Sequence, residues 1–362
     1  MARDVSIFNA GPAVLPEPVI KSTAEAILNF AGTGMSIMEV SHRSKEFENL
    51  LNDTIERFHK VMNIPQNYKI LFLQGGASLQ FGMVPMNLRP AGQVADYVDT
   101  GMWASKAIKE AKREGAVNVI ASSKADNYAY IPELKDLKFT PDAAYCHITS
   151  NNTIYGTQWQ SFPDTGKIPL VADMSSDIMS RVIDVNQFGL IYAGAQKNIG
   201  PSGVTVVIIR DDLVERSPEN LYTMLSYKTH VENNSLFNTC PVIAIYVVHE
   251  VLKWVEDMGG VAAIEKLNNQ KAALIYDVMD ASNGYYKGTV EKGSRSKMNI
   301  PFRLPSEELE KKFVKESEAK NLIGLKGHRA VGGIRASIYN AIEVENVQRL
   351  ADFMVDFAKQ NA

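Results

Sequence analysis

The chain has 362 residues, 45% hydrophobic and 22% charged, with 38 Lys and Arg against 41 Asp and Glu and a net charge of −3. That length can bury a large core and allows about two domains, while the charge balance offers no polyanion-binding surface and so argues against a nucleic-acid partner. Two cysteines make no disulfide framework, no apolar stretch is long enough to span a bilayer, and the N-terminal MARDVSIFNAGPAVLP lacks the unbroken apolar run of a secretory signal; a cytoplasmic protein without a membrane partner is expected.

In chain order, the pattern predicts two amphipathic helices between about Val19 and Val61, the second with Phe47, Leu50, Leu51, Ile55, Phe58, Val61 and Met62 at helical spacing. Strands and helices then alternate. KILFL (69–73), VADYV (94–98), AVNVI (116–120), AYCHIT (144–149) and IPLVAD (168–173) read as strands, with a helix from about Ala104 to Glu114. Leu190–Ala193 and Val204–Ile209 read as two further buried strands joined by a Gly/Pro/Ser turn, and a long helix follows from about Val242 to Met258. After about residue 270 the character changes. YYKGTVEKGSRSKMNIPFRL (285–304) reads as strands joined by a turn, followed by a polar helix at 307–320, a strand at 333–339 and a final helix with Val347, Leu350, Phe353, Met354 and Phe357 on one face. The expected fold class is α/β: a large domain (16–266) with a mostly parallel sheet sandwiched by helices, and a smaller α+β domain (1–15 and 267–362).

Ligands of open α/β sheets bind beyond the carboxyl ends of the strands. After 69–73 comes Gly75-Gly76-Ala77-Ser78 at the start of a helix, where backbone N–H groups and the helix dipole favour an anion. Trp103 follows 94–98, Thr153 follows 144–149, and Asp173 ends its own strand. Lys197 lies in the turn between two buried strands with no carboxylate in its stretch, IYAGAQKNIGPSG; desolvation there favours the neutral, nucleophilic amine. Each residue alone has a structural explanation: core filler, loop cap, helix cap, or a lysine reaching water. Together they supply a phosphate turn, a flat ring, a hydroxyl, a carboxylate and an amine. Pyridoxal phosphate requires this set, with the lysine for its aldehyde, the aromatic for its ring and the carboxylate to keep its pyridine nitrogen protonated.

The sequence resembles the phosphoserine aminotransferases of the fold-type I, pyridoxal-phosphate-dependent, class-V family. The motifs span nearly the whole chain: FNAGPAVLPEPV, MEVSHRSKEF (38–47), LFLQGGASLQF (71–81), VDTGMWASKA (98–107), SNNTIYGTQW (150–159), VADMSSDIMSR (171–181), YAGAQKNIGPSG (192–203), NNSLFNTCP (233–241) and GHRAVGGIRASIYNA (327–341). The resemblance implies Lys197 as the Schiff-base lysine and proton shuttle, Asp173 as partner of the pyridine nitrogen and Trp103 as the stacking ring. It implies that Gly76, Ala77, Ser78, Thr153 and Gln196 surround the cofactor, chiefly its phosphate, and that Asn238 and Thr239 reach it from the second subunit of a homodimer. Arg43 and Arg335 would recognise substrate carboxylates, and His42, His328 and Arg329 a substrate phosphate. Arginine forks suit both anions. The implied reaction is reversible transamination of 3-phosphohydroxypyruvate with L-glutamate, giving O-phospho-L-serine and 2-oxoglutarate in serine biosynthesis; some family members also handle a phosphorylated hydroxythreonine in vitamin B6 synthesis.

One departure stands out: some family members carry an arginine in the Gly-rich loop, whereas this loop reads Gly75-Gly76-Ala77-Ser78, which shifts weight in phosphate recognition to His42. The remaining histidines, His59, His147, His230 and His249, are dispersed without zinc spacing, and no catalytic metal is expected. Two rival readings are a cysteine desulfurase-like enzyme of the same fold, which needs a mobile reactive thiol such as Cys240, and a catalytically silent binder of a phosphorylated metabolite, which needs neither Lys197 nor Asp173.

Overall fold

The computed structural model describes residues 4–361; residues 1–3 and 362, at the two ends of the expected smaller domain, lie outside that range. Seven strands form the main sheet in the order Tyr68–Leu73, Thr205–Arg210, Leu190–Gly194, Leu170–Asp173, Cys146–Thr149, Ala95–Asp99, Val117–Ser122. Thr205–Arg210 is antiparallel to both its neighbours and every other pairing is parallel, so it is the one reversed strand. The other six strands therefore end at the same edge of the sheet. The chain between Leu190–Gly194 and the reversed strand turns at that edge, and Lys197 sits in the turn.

Both faces of the sheet are apolar, because neighbouring residues of a strand point to opposite sides. Ile70, Phe72, Val206 and Ile208 join a core with Phe47, Leu51 and Phe58 of helix Lys45–Met62 and Ile245, Val248 and Leu252 of helix Val242–Asp257. Leu71, Leu73, Val207 and Ile209 face the other way, against Phe81 and Val84 of helix Gly76–Leu88 and Ala107 and Ile108 of helix Met102–Glu114. Ser44 caps helix Lys45–Met62 by accepting a hydrogen bond from the Phe47 amide.

A third core gathers Phe8 with residues from Ala272 to Phe357. Its sheet is antiparallel, Ile334–Ser337 beside Asn299–Arg303 beside Lys287–Gly288, and Ser6–Ile7 pairs in parallel with Leu322–Ile323. Helix Val261–Ala281 was not expected from the sequence. Its buried face includes Asn268 and Lys271, which interrupt the apolar period. Among the described residues, no helix is long and apolar enough to cross a membrane.

Candidate active site

At the common edge of the main sheet lies a cavity of about 340 Å³ lined by Gly76, Ala77, Ser78, Trp103, Thr153, Asp173, Gln196, Lys197, His328 and Arg335. The half-buried Lys197 donates from Nζ to Thr153 Oγ1 at 2.6 Å. Desolvation lowers its pKa to about 8; Asp173 and Asp177 oppose that shift and the Arg335 charge adds to it. Asp173 is buried. Its Oδ1 accepts from the Ser175 amide at 2.9 Å and the Ser175 hydroxyl at 2.6 Å, and no described residue donates to Oδ2. Burial pushes the Asp173 carboxyl up, against the two Ser175 bonds and the Lys197 charge.

Gly75, with φ +87°, turns the chain from strand Tyr68–Leu73 into helix Gly76–Leu88. No side chain caps that helix, so first-turn amides are left for an anion at the cavity. Trp103 opens helix Met102–Glu114, with Lys106 Nζ 4.4 Å from its ring centroid and its own Nε1 buried without a partner. The Thr149 hydroxyl, also on the cavity wall, is likewise buried and unpartnered. Arg335 enters from the small antiparallel sheet and donates to the Thr153 carbonyl at 3.2 Å. Desolvation lowers its pKa and also that of His328, which is further lowered by Arg335, Arg329 and Lys106.

The family model "Aminotransferase class-V" matches residues 5–350. The chain belongs to the class-V aminotransferases. It is 58% identical over 355 residues to the phosphoserine aminotransferase of Geobacillus kaustophilus, covering 98% of each chain. The structure matches that of phosphoserine aminotransferase from Bacillus circulans subsp. alkalophilus with a TM-score of 0.97 at 55% identity, covering 99% of both chains. A pyridoxal-phosphate-bound phosphoserine aminotransferase from Trichomonas vaginalis matches with a TM-score of 0.92 at 38% identity, covering 97% of this chain and 99% of that one.

Several of the residues singled out in the sequence lie away from the cavity of this aminotransferase within one chain. Arg43 is exposed, and His42 is half-buried with its Nε2 lacking a partner. Asn238 is half-buried, bonded to Gln74 Oε1 at 3.5 Å, and Thr239 is exposed. Arg329 is exposed beside a second cavity that it shares with Arg303 and Glu310. The aminotransferase also brings to its main cavity residues that the sequence reading did not assign to the site: Ala10, Gly11, Asn151, Ser175 and Ser176. The FNAGP motif carried part of that signal. A Cβ on Gly11 would stand 3.4 Å from Lys197 Cγ, so the N-terminal segment lies directly against the lysine. Cys240 is buried, and burial pushes its thiol up to about 11, which removes the thiolate that a desulfurase-like reaction needs.

Proposed function

We propose that this chain transfers the amino group between L-glutamate and 3-phosphohydroxypyruvate, reversibly giving 2-oxoglutarate and O-phospho-L-serine, a step of serine biosynthesis, with pyridoxal phosphate as cofactor. The observation that carries this reading is a lysine amine with its pKa brought down to about 8 by burial, opposite a buried carboxylate and beside an uncapped helix N-terminus, in a chain of this family. The residues fit the cofactor. Lys197 would hold its aldehyde. Asp173 would use Oδ2 for the ring nitrogen, and Trp103 would cover the ring. The amides of Gly76, Ala77 and Ser78, with Thr153 and Gln196, would hold its phosphate. The buried, unpartnered Trp103 Nε1 and Thr149 hydroxyl are polar groups that a ligand in this cavity can satisfy.

Bound there, pyridoxal phosphate supplies an electron sink for negative charge at the substrate α-carbon. Lys197 is the base that takes the α-proton, because burial lowers its pKa to about 8 and gives it a far larger neutral fraction near neutral pH than an ordinary lysine has. Thr153 steadies Nζ in its 2.6 Å bond. Arg335 presents its fork to the substrate carboxylate, with its own position held by the Thr153 carbonyl. His328 adds a donor for the substrate phosphate.

His42, Arg43, Arg329, Asn238 and Thr239 lie off this cavity in one chain. We infer that they act in a homodimer, with Asn238 and Thr239 of a second copy closing on the cofactor phosphate and the others completing the substrate site. The chain then divides into a cofactor-bearing unit, 16–266, and a smaller unit, 1–15 with 267–362, that brings Arg335 and His328. The test is the visible spectrum of the protein loaded with pyridoxal phosphate, before and after addition of O-phospho-L-serine or plain L-serine. The expected result is a yellow protein bleached by phosphoserine and far less by serine. Equal bleaching by both would remove the phosphate site from the proposal, and a protein that stays colourless would remove the role of Lys197.

A further inference from the structure

Three successive backbone carbonyls beyond Asp173 are held by three asparagines from distant parts of the chain. The turn that leaves strand Leu170–Asp173 is buried at Ile178, Met179 and Ser180. Asn198 Nδ2 donates to the Ile178 carbonyl at 3.1 Å, Asn340 Nδ2 to the Met179 carbonyl at 3.0 Å and Asn268 Nδ2 to the Ser180 carbonyl at 2.9 Å. No other described residue donates to these carbonyls. The asparagines also bond to one another. Asn198 Oδ1 accepts from the Asn340 backbone amide at 3.0 Å, and Asn340 Oδ1 accepts from Asn268 Nδ2 at 2.9 Å. All three side chains are buried. Asn268 spends its amide hydrogens on this cluster and leaves its Oδ1 without a partner among the described residues, so the cluster alone sets its orientation.

The gripped turn is strained. Met179 has φ +56°, a region that a bulky side chain enters only where its surroundings over-determine it. Each segment joined here also carries a residue of the site. Asn198 directly follows Lys197, and Asn340 lies five residues beyond Arg335, past the end of strand Ile334–Ser337. The turn itself starts at Asp173 and includes Ser175, whose amide and hydroxyl bond Asp173 Oδ1. Hydrogen bonds fix direction as well as distance, so the cluster sets how these three segments stand to one another.

We propose that Asn198, Asn268 and Asn340 are positioning residues that act as one unit, fixing the spacing of Lys197, Asp173 and Arg335 for the transamination. The proposal rests on the pyridoxal-phosphate reading above. None of the three lines the cavity, whereas Ser175 and Ser176 of the gripped turn do. Without the Asn198 side chain, the Ile178 carbonyl and the Asn340 amide lose their partners in the interior. They regain them only by moving or by admitting water. Either change alters the cavity wall, misaligns the reacting groups and lets water nearer to the Lys197 amine.

The experiment compares N198A and N340A with wild type in two readouts. The first is the pH midpoint of Lys197 labelling by cyanate in the apoprotein. Desolvation is the largest cause of the Lys197 shift to about 8, so hydration in the variants is expected to raise the midpoint by about one pH unit. The second is the single-turnover rate of the pyridoxal-phosphate-loaded protein with O-phospho-L-serine, expected to fall by about 10-fold or more from misalignment. Asn87→Ala is the control for lost stability alone. Asn87 is as deeply buried, bonding the Met83 and Leu225 carbonyls, the Ser217 hydroxyl and the Tyr227 amide, and it is expected to leave both readouts at wild-type values. Wild-type values of both in folded N198A and N340A overturn the proposal, as does an N87A protein that shifts with them. If neither cluster variant folds, N268A decides by the same readouts. Alanine suits helix Val261–Ala281, and the space left admits water to the Ser180 carbonyl and Asn340 Oδ1. Unchanged values in N268A overturn the proposal. A wild-type protein that takes up no cofactor would instead fail the functional reading, while the cyanate midpoint would still test the cluster.

Discussion

Replacing Gly75 by alanine tests whether the loop before helix Gly76–Leu88 is built to hold an anion. Two costs follow from the structure. The residue has φ +87° and ψ −2°, a conformation that disfavours an L side chain by about 1–2 kcal/mol. In addition, its Cβ would fall 2.5 Å from Leu79 Cδ2 and 2.7 Å from Leu79 Cβ. Leu79 can rotate Cδ2 away, but its Cβ moves only with the first helical turn, an overpacking cost of about 1–3 kcal/mol. The total is about 2–5 kcal/mol, and the relief it forces displaces the Ala77 and Ser78 amides. Gly76→Ala is the matched control. Gly76 has φ +65°, yet its Cβ would meet nothing within 4 Å, so only the backbone cost of about 1–2 kcal/mol applies. Urea unfolding of the apoproteins, with pyridoxal-phosphate affinity measured by fluorescence quenching, should show G75A weaker than G76A in both. A G75A protein within about 0.5 kcal/mol of wild type and with native affinity would refute the assigned role of this turn.

Three further outcomes are expected. Covalent labelling of Lys197 in the apoprotein by cyanate should rise as pH passes about 8, because the neutral amine reacts and burial has moved its deprotonation there; a rise only near the value of an ordinary lysine would contradict the desolvated site. Arg335→Lys keeps the charge but loses the fork held at the Thr153 carbonyl, so steady-state kinetics should show KM for glutamate raised by about 10-fold or more. Lys271→Met conserves volume but removes the donor from the Tyr339, Asn340 and Ile342 carbonyls, 2.8, 3.3 and 3.1 Å from Nζ. Denaturant unfolding should then show a loss of about 2–5 kcal/mol, and a neutral result would mean that this buried amine contributes nothing net.

The chemistry of the site was legible because it is local. Each residue stands just past a strand whose apolar run marks its end, and strands of a parallel sheet end at one edge, so Gly76, Trp103, Thr153, Asp173 and Lys197 could be placed together from order alone. Helix Val261–Ala281 was not legible, because two of its inward positions are polar. Asn268 faces inward to bond the Ser180 carbonyl and Asn340 Oδ1, and Lys271 faces inward to bond three carbonyls. Their partners lie some 70 to 90 residues away in the chain, beyond what periodicity can detect.

The amino-acid sequence by itself determined the alternation of strand and helix, the turn chemistry at Gly75, and which side chains could meet at the sheet edge, since these depend on neighbours a few residues apart. Only the tertiary structure decided three other matters. Thr205–Arg210 runs against its neighbours, which returns the chain after Lys197 and leaves the lysine in a turn at the edge where the other strands end. Arg335 crosses from the second sheet to the Thr153 carbonyl. The depressed pKa of Lys197 belongs here too, because desolvation is set by everything that encloses the amine, and no stretch of sequence carries that sum.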